Sequence, residues 1–340
     1  MAFTIFDPQQ EMLRRMREND FSGRIRPGED VAAWQAIARR KLETLLGLPF
    51  EQVDPEPEIC WTREREDCTE TRFNVRSERD VRVLCHILVP KAVRKEIPLM
   101  VCLQGHSTGM HISLGVPKFP GDAEDIEGDR DFARQAVRHG YAALAVEQRA
   151  FGECGGTEKG PDCYQPAVQA LLLGRTLIGE RCWDIKCALE AVYRLFPTVD
   201  KSRTALMGNS GGGTTTFYAS ALFTFVSAAM PSCAFSGFLP SIGAQKHCIC
   251  NYVPGIMKEF DMAELAGLIA PRPLVIVSGQ HDGIFPLESA REQFEIARTR
   301  YYVPLGAEDS IRHVIGAQGH RFYAAESWPV FENLTGWHKA

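Results

Sequence analysis

The sequence predicts an α/β fold in which a mostly parallel central sheet carries helices on both faces, with an N-terminal helical extension. Ile97 to Leu103 is a fully apolar run, typical of a central strand that is buried on both faces. From this run to the C-terminus, strand-like stretches alternate with helical patterns, as expected for repeated βα units. The chain has 340 residues, 45% of them hydrophobic, which is enough to bury one large core.

The first fifty residues predict helices. Asp7-Pro8 is a typical helix start, and residues 29–46 carry apolar side chains at helical spacing. Gly47 and Pro49 end this second helix, and the Pro-rich residues 55–57 predict an extended linker.

The remaining elements divide the chain into an extension with its linker over residues 1–68 and an α/β domain over residues 69–340. Two strand-like stretches open the domain and predict an antiparallel start to the sheet. The predicted strands cover residues 69–77, 81–89, 97–103, 141–146, 204–207, 225–229, 274–277 and 311–315. The predicted helices cover residues 131–139, 179–196, 211–222, 262–268, 287–299 and 322–338.

Composition and charge indicate which kinds of partner and which cellular compartment to expect. Lys and Arg total 38 against 43 Asp and Glu, a net charge of -5 with no basic cluster, which argues against nucleic acid as a partner. No run is long and apolar enough to span a bilayer, and the N-terminus lacks the pattern of a signal peptide. The 11 cysteines are scattered, and Cys85, Cys102 and Cys187 lie inside apolar runs. We therefore expect free thiols in a reducing cytoplasm and no membrane partner.

One short cluster raises the question of a metal. Cys248 and Cys250 are separated by one residue and follow His247. The sequence offers no second ligand pair at the spacing of a zinc finger, so we expect no metal at this cluster. No motif indicates a cofactor.

A glycine-rich turn contains the candidate catalytic serine. Gly208-Asn209-Ser210-Gly211-Gly212 follows a predicted strand and precedes a predicted helix. In such a strand–turn–helix, the serine sits in a sharp turn where side chains at the flanking glycines would clash. Because the helix points its N-terminus at the same place, the N–H of Gly211 can stabilise an oxyanion. Ser210 is therefore the predicted nucleophile, the alternative being a glycine-rich turn with an incidental serine.

The partners of a catalytic triad follow in the order acid, then histidine. Asp282 comes after the strand at 274–277, and His320 lies in a glycine-flanked loop after the last strand. Asp282 would orient the imidazole, and His320 would act as general base. His313 falls inside the strand pattern and His281 precedes the last strand, so both are weaker candidates for the base. Asp282 could also be a simple turn residue.

The second oxyanion donor is expected directly after the third predicted strand. Gln104-Gly105-His106 follows that strand, so the N–H of His106 is the natural donor. A plain loop is the alternative.

These residues resemble the α/β-hydrolase superfamily over about residues 70–340. The pattern is most similar to acetyl xylan esterases, cephalosporin-C deacetylases and dienelactone hydrolases, and especially to bacterial acetyl xylan esterase-like hydrolases. The resemblance implies Ser210, Asp282 and His320 as the triad, with the N–H groups of His106 and Gly211 as the oxyanion hole. The chain departs from the His-Gly-Tyr of sugar deacetylases and from the cysteine nucleophile of dienelactone hydrolases. It also lacks the Arg near the nucleophile that a glucuronoyl methylesterase would carry, since residues 211–213 are glycines.

Substrate contacts are expected from long loops at the edge of the sheet where Ser210, Asp282 and His320 are predicted to lie. Two insertions, residues 108–130 and 152–176, read as long loops, and the segment 231–260 brings the aromatic residues Phe235, Phe238 and Tyr252. Arg149 and Asn209 are the candidate substrate-binding residues. Arg149 could instead pair with Glu153, which is the favoured interpretation.

Three functions follow from these patterns. The first is a serine carboxylic ester hydrolase that acts on a small acylated molecule such as an acetylated carbohydrate. The second is a serine peptidase of the prolyl-oligopeptidase kind, although about 70 preceding residues are too few for its propeller. The third is a non-catalytic binding protein that kept the fold. The N-terminal helices are expected either to cap the sheet or to join subunits of a homo-oligomer.

Overall fold

A nine-stranded sheet forms the centre of the molecule. The structure is a computed structural model that describes residues 7–91 and 96–337. The strands lie in the order β1-β2-β3-β5-β4-β6-β7-β8-β9. Their bounds are β1 Glu58–Glu64, β2 Cys68–Glu78, β3 Val81–Pro90, β4 Ile97–Leu103, β5 Ala142–Val146, β6 Val199–Asn209, β7 Ala228–Ser232, β8 Leu274–Gly279 and β9 Ile311–Gly316.

The sheet is antiparallel at one side and parallel over the rest. β1, β2, β3 and β5 pair antiparallel, whereas β5, β4, β6, β7, β8 and β9 all pair parallel. Val101 of β4 pairs with Leu144 on one side and Leu206 on the other, and every residue of β4 is buried. The predicted α/β class, with a mostly parallel sheet, is confirmed.

Helices cover both faces of the sheet, as predicted. They are α1 Pro8–Arg17, α2 Val31–Leu46, α3 Asp122–Asp125, α4 Phe132–Arg138, α5 Tyr164–Leu172, α6 Leu177–Leu195, α7 Gly211–Leu222, α8 Ile256–Glu259, α9 Met262–Ile269, α10 Leu287–Ala297 and α11 Ala324–Thr335. One apolar core holds side chains of α2, α6, α7 and α9 against the sheet, and a second holds those of α4 and α11 against the other face. None of the helices within residues 7–91 and 96–337 has the length and apolar character to cross a bilayer.

Four of these strands and helices, β1, α3, α5 and α8, were not predicted from the sequence. β1 is an edge strand in which only one residue, Trp61, is even partly buried, so it has no apolar alternation to reveal it. α5 lies inside the insertion at residues 152–176. The strand predicted over 225–229 is β7, shifted to Ala228–Ser232. The last predicted helix ends at Thr335, and its predicted end at residue 338 lies outside the described residues.

The N-terminal extension packs on the main core. α2 begins after Asp30, whose carboxylate accepts the N–H of Ala33, and ends at Gly47 with a left-handed φ of 76°. These are common start and stop signals of a helix. One side of α2 is buried, with Leu42 and Leu46 fully inside the core, so α2 caps one face of the sheet. The division at residue 68 stays a prediction, although the sheet itself already starts with β1.

The two sides of α2 predict different responses to truncation. Leu42→Ala, at a fully buried position, should lower the free energy of unfolding by about 2–5 kcal/mol, because it removes buried methyl groups and leaves a cavity. Ile37→Ala, on the exposed side of the same helix where Ile37 is 53% exposed, should change it by less than about 0.5 kcal/mol. Urea denaturation measures both. Equal effects would mean that α2 does not contribute to the core.

Candidate active site

Ser210 sits in a strained turn between β6 and α7. Its φ and ψ are 55° and -121°, a region that non-glycine residues rarely occupy. A Cβ on Gly208 would lie 2.6 Å from the backbone of Gly212, and one on Gly212 would lie 2.1 Å from the carbonyl oxygen of Leu103. The turn therefore requires glycine at both positions. This is the geometry expected of a nucleophile elbow.

The loop after β4 runs beside this turn. A Cβ on Gly105 would lie 3.2 Å from the Cβ of Ser210 and 2.8 Å from the carbonyl oxygen of Asn209, so only glycine fits without displacement. The next residue is His106, whose imidazole lies against Gly211. No acceptor among the described residues takes the N–H of His106 or of Gly211. Both groups are therefore available as donors, and their role as an oxyanion hole stays a prediction.

Asp282 and His320 meet although 38 residues separate them. The Nδ1 of His320 lies 2.9 Å from a carboxylate oxygen of Asp282, and the other oxygen accepts the N–H groups of Ile284 and Phe285. Burial opposes ionisation of Asp282, but the bond to His320 and these two N–H groups outweigh burial and hold the pKa of Asp282 below its ordinary value. A buried carboxylate that remains ionised can orient an imidazole and stabilise its cation.

One cavity joins the nucleophile to the histidine. It has a volume of about 320 Å³ and is lined by Gly105, His106, Arg130, Asn209, Ser210, Gln245, Lys246, His247, Cys248, Ile284 and His320. The Nε2 of His320 is buried and has no hydrogen-bond partner in the described chain. Ser210, His106 and His320, whose Nε2 has no partner in the described chain, therefore line a single space, whereas Gly211 is not among the residues that line it.

The comparisons with known proteins identify the family. A model of the Abhydrolase family matches residues 6–233. The chain belongs to the Abhydrolase family. Among curated proteins, YtaP of Bacillus subtilis strain 168, whose name describes a hydrolase, is 28% identical over 233 residues, covering 68% of this chain and 76% of YtaP.

Solved structures share the fold of this Abhydrolase member. One, named an acetyl xylan esterase, from Bacteroides fragilis NCTC 9343, has a TM-score of 0.77 at 18% identity, covering 96% of this chain and 84% of its own. A glucuronoyl esterase from Solibacter usitatus has a TM-score of 0.67 at 15% identity, covering 92% and 94%. At these identities, the likeness concerns the fold.

The other two histidine candidates lie away from this arrangement. The Nε2 of His313 is 2.9 Å from the hydroxyl of Ser278, and burial, helped by Arg291, lowers the pKa of His313 to about 4. His281 is exposed. Neither lines the cavity.

The side chain of Arg149 in this Abhydrolase member is held by ion pairs. It forms ion pairs with Glu78, Glu180 and Asp184 and does not line the described cavity. The expected partner Glu153 pairs with Arg72 instead. Neither interpretation of Arg149 matches this geometry, because α6 supplies two carboxylates that the sequence does not place beside it.

Asn209, the other candidate substrate-binding residue, does line the cavity. Its side-chain oxygen accepts the hydroxyl of Ser232 at 2.9 Å, while its Nδ2 is buried without a partner in the described chain. The amide is thus anchored at one end and keeps a free donor at the other.

The insertion at residues 108–130 is held together by one carboxylate. Asp122 is buried and accepts the hydroxyl of Thr108 and the N–H groups of Lys118 and Phe119, and it contacts His111. The end of this insertion supplies Arg130 to the cavity. The loop predicted over residues 108–130 is therefore ordered, and its last residue forms part of the cavity wall.

The other two segments that were expected to contact the substrate differ from that prediction. The insertion at residues 152–176 forms α5 and gives no residue to the cavity. From the segment 231–260, the residues Gln245, Lys246, His247 and Cys248 line the cavity, whereas Phe235 and Phe238 are buried in the main core. Phe235 and Phe238 serve packing, and of the four lining residues the sequence marked only His247 and Cys248, as part of a possible metal cluster.

The network around Asp122 predicts a dependence of stability on pH. Burial opposes ionisation, but the hydrogen bonds of Asp122 outweigh it and lower its pKa from 3.8 to about 2. Because the folded value lies below the unfolded one, the stabilisation is fully present above about pH 5 and is lost as the pH falls towards 2. Asp122→Asn should lower the free energy of unfolding by about 2 kcal/mol at pH 7.

Urea denaturation at pH 7 and pH 3 measures this difference, which should shrink at the lower pH. Asp309→Asn, at a side chain that is 92% exposed, should leave stability unchanged at both. A difference for Asp122→Asn that stays constant with pH would contradict an ionised Asp122 as the anchor.

Proposed function

We propose that this protein is a serine carboxylic ester hydrolase that works through an acyl-enzyme. One observation carries the proposal: Ser210, on its strained turn, opens onto the same cavity as the partner-free Nε2 of His320, whose Nδ1 is bound to Asp282. This is the set of groups that nucleophilic acyl transfer requires.

In the first half-reaction, the hydroxyl oxygen of Ser210 attacks the ester carbonyl while its proton passes to the Nε2 of His320. The carbonyl oxygen becomes an oxyanion, and the free N–H groups of His106 and Gly211 donate to it. Collapse of the tetrahedral intermediate breaks the bond to the alcohol oxygen, which takes the proton from His320. The alcohol leaves, and the acyl group remains on Ser210.

In the second half-reaction, water replaces the alcohol. His320 accepts a proton from this water as the water attacks the acyl carbonyl, and the same two N–H groups stabilise the second oxyanion. His320 then returns the proton to the oxygen of Ser210 and the carboxylic acid leaves. Asp282 stays ionised throughout and stabilises the imidazolium each time it forms.

The lining of the cavity supports a small, hydroxyl-rich substrate such as an acetylated carbohydrate. A volume of about 320 Å³ suits a small ligand. Gln245, Lys246 and His247 offer polar groups along one wall, and Ile284 is the one aliphatic side chain larger than alanine in the lining. The fold is shared with structures named acetyl xylan esterase and glucuronoyl esterase. The glycines at 211–213 leave no Arg directly after Ser210, and the cations that line the cavity are Arg130 and Lys246.

The cysteines support a reducing compartment, and we place the protein in the cytoplasm. None of the 11 is in a disulfide, as expected for an intracellular protein. Its substrate would then be a small ester, with no nucleic acid or membrane partner. A homo-oligomer formed through the exposed side of the N-terminal helices is part of the same proposal.

Labelling with a fluorophosphonate probe tests the nucleophile. The intact protein should form a covalent adduct on Ser210, because the elbow exposes an activated hydroxyl. Ser210→Ala should not label, and Ser202→Ala, an exposed serine on β6, should label like the intact protein. Intact mass and peptide mapping identify the adduct. An intact protein that resists the probe would favour a non-catalytic binding protein, and a Ser210→Ala variant that labels equally would contradict Ser210 as the nucleophile.

Two histidine variants test the base. His320→Ala should lower kcat for p-nitrophenyl acetate by about 10³-fold or more, because the proton of Ser210 loses its acceptor. His313→Ala should keep kcat within about threefold, since His313 bonds Ser278 outside the cavity.

The same assay separates esterase from peptidase. Turnover of p-nitrophenyl acetate should exceed that of an aminoacyl-proline amide. A preference for the amide would support the peptidase instead, and a larger loss in His313→Ala than in His320→Ala would reassign the base.

A further inference from the structure

Four metal-ligating side chains converge beside the active site. The Nε2 of His106 lies 3.2 Å from the Sγ of Cys250, which lies 3.2 Å from the Sγ of Cys248. The Sγ of Cys163 completes the group, and all four ligand atoms lie within 4.8 Å of one another. They come from three separate parts of the chain: the loop after β4, the residue before α5 and the segment before α8.

The spacing and the donor types fit one tetrahedral ion. With Zn–S bonds of about 2.3 Å and Zn–N bonds of about 2.0 Å, tetrahedral ligand atoms lie about 3.5–3.8 Å apart. The observed separations need only small side-chain rotations to reach these values. Three thiolates with one imidazole form a donor set typical of structural zinc sites.

A buried guanidinium gives a second, independent indication. Arg181 of α6 is 1% exposed, and no carboxylate in the described chain forms an ion pair with it. Its Nη2 lies 3.4 Å from the Sγ of Cys163, and its Nη1 is buried without a partner among the described residues. A buried cation without a counter-charge is costly. A doubly charged ion with three thiolates and a neutral imidazole carries one net negative charge, which Arg181 balances.

The apolar core around the four ligands is too small to hold them in place by packing alone. The apolar core here consists of six buried residues, including two of the ligands; these are Ala150, Phe151, Cys163, Ala167, Leu177 and Cys250. This small core joins the insertion at residues 152–176 to the segment 245–251. Apart from its part in this core, the segment 245–251 consists of short turns. A metal cross-link is a common means of stabilising so small a core.

We propose that His106 Nε2, Cys163 Sγ, Cys248 Sγ and Cys250 Sγ bind one structural zinc ion. The ion fixes the loop that carries the N–H of His106 to the wall of the cavity formed by Lys246, His247 and Cys248. All four ligand positions are taken by protein, so the ion itself does not bind substrate. This inference does not depend on the proposed ester hydrolysis.

The structure changes the expectation of no metal drawn from the sequence. That expectation rested on the lack of a second ligand pair near Cys248 and Cys250. The pair comes from His106 and Cys163, which the fold brings from 142 and 85 residues before Cys248. The neighbouring His247 is not a ligand, since its Nδ1 lies 3.1 Å from the side-chain nitrogen of Asn251.

Metal content and the cobalt spectrum test the site without reference to activity. Reduced protein should contain about one zinc ion per chain by elemental mass spectrometry. After exchange with Co²⁺, it should show the intense visible d–d bands of a tetrahedral ion and a thiolate-to-cobalt charge-transfer band. Cys248→Ser and Cys163→Ser should lose most of the bound metal and the charge-transfer intensity. Cys60→Ser, at an exposed cysteine on β1, should keep both.

Chelation provides a test that needs no variant to fold. Stripping the metal from the wild-type protein under reducing conditions should lower its Tm, and added Zn²⁺ should restore it. The site would be refuted by reduced wild-type protein that takes up neither Zn²⁺ nor Co²⁺, by folded Cys248→Ser or Cys163→Ser variants that bind as much metal as the wild type, or by an unchanged Tm. A disulfide between Cys248 and Cys250 in protein isolated from the cytoplasm would refute it as well.

Discussion

The close approach of two backbones, at the turn after β6 and the end of β4, is the constraint on which the rest of the site depends. Gly212 comes so near the carbonyl oxygens of Leu103 and Gln104 that a Cβ there would lie 2.1 and 2.4 Å from them. Backbone contact at this distance leaves little freedom, so the hydroxyl of Ser210 and the N–H groups of its neighbours hold one geometry. The strained φ of Ser210 is maintained because the central strands on both sides are fully buried and hydrogen-bonded.

The parallel half of the sheet extends this arrangement to the other catalytic groups. β8 and β9 end on the same edge as β6, so their loops bring Asp282 and His320 to the nucleophile. Here too, backbones touch: a Cβ on Gly279 would lie 2.0 Å from the carbonyl oxygen of Gly319. Glycines therefore fix the loop of His320 in the same way that they fix the loop of Ser210.

His106, the third residue after β4, connects two parts of the molecule that differ in chemistry. The backbone N–H of His106 is the proposed oxyanion donor, while its imidazole lies close to the sulfur atoms of Cys163, Cys248 and Cys250. The position of the N–H group thus depends on what holds the imidazole. The cavity wall at residues 245–248 depends on the same cluster, because Cys248 belongs to both. If the cluster binds zinc as proposed, a change there would shift both the cavity wall and the N–H group of His106.

The sequence by itself determined the α/β class and most of the strands and helices, because apolar periodicity is a local signal. It also predicted that Ser210, Asp282 and His320 would lie together, because a glycine-flanked serine and loops at fixed places in the strand order are local signals too. Elements without an apolar pattern, such as the exposed strand β1, gave no such signal. Only the tertiary structure decided which charges pair and which thiols meet. Arg149 found its carboxylates on α6 and β2, Cys163 joined Cys250 from 87 residues away, and neither contact has a preferred spacing along the chain. Contacts between distant segments are set by how the helices pack on the sheet, and a single sequence does not encode that packing as a readable pattern.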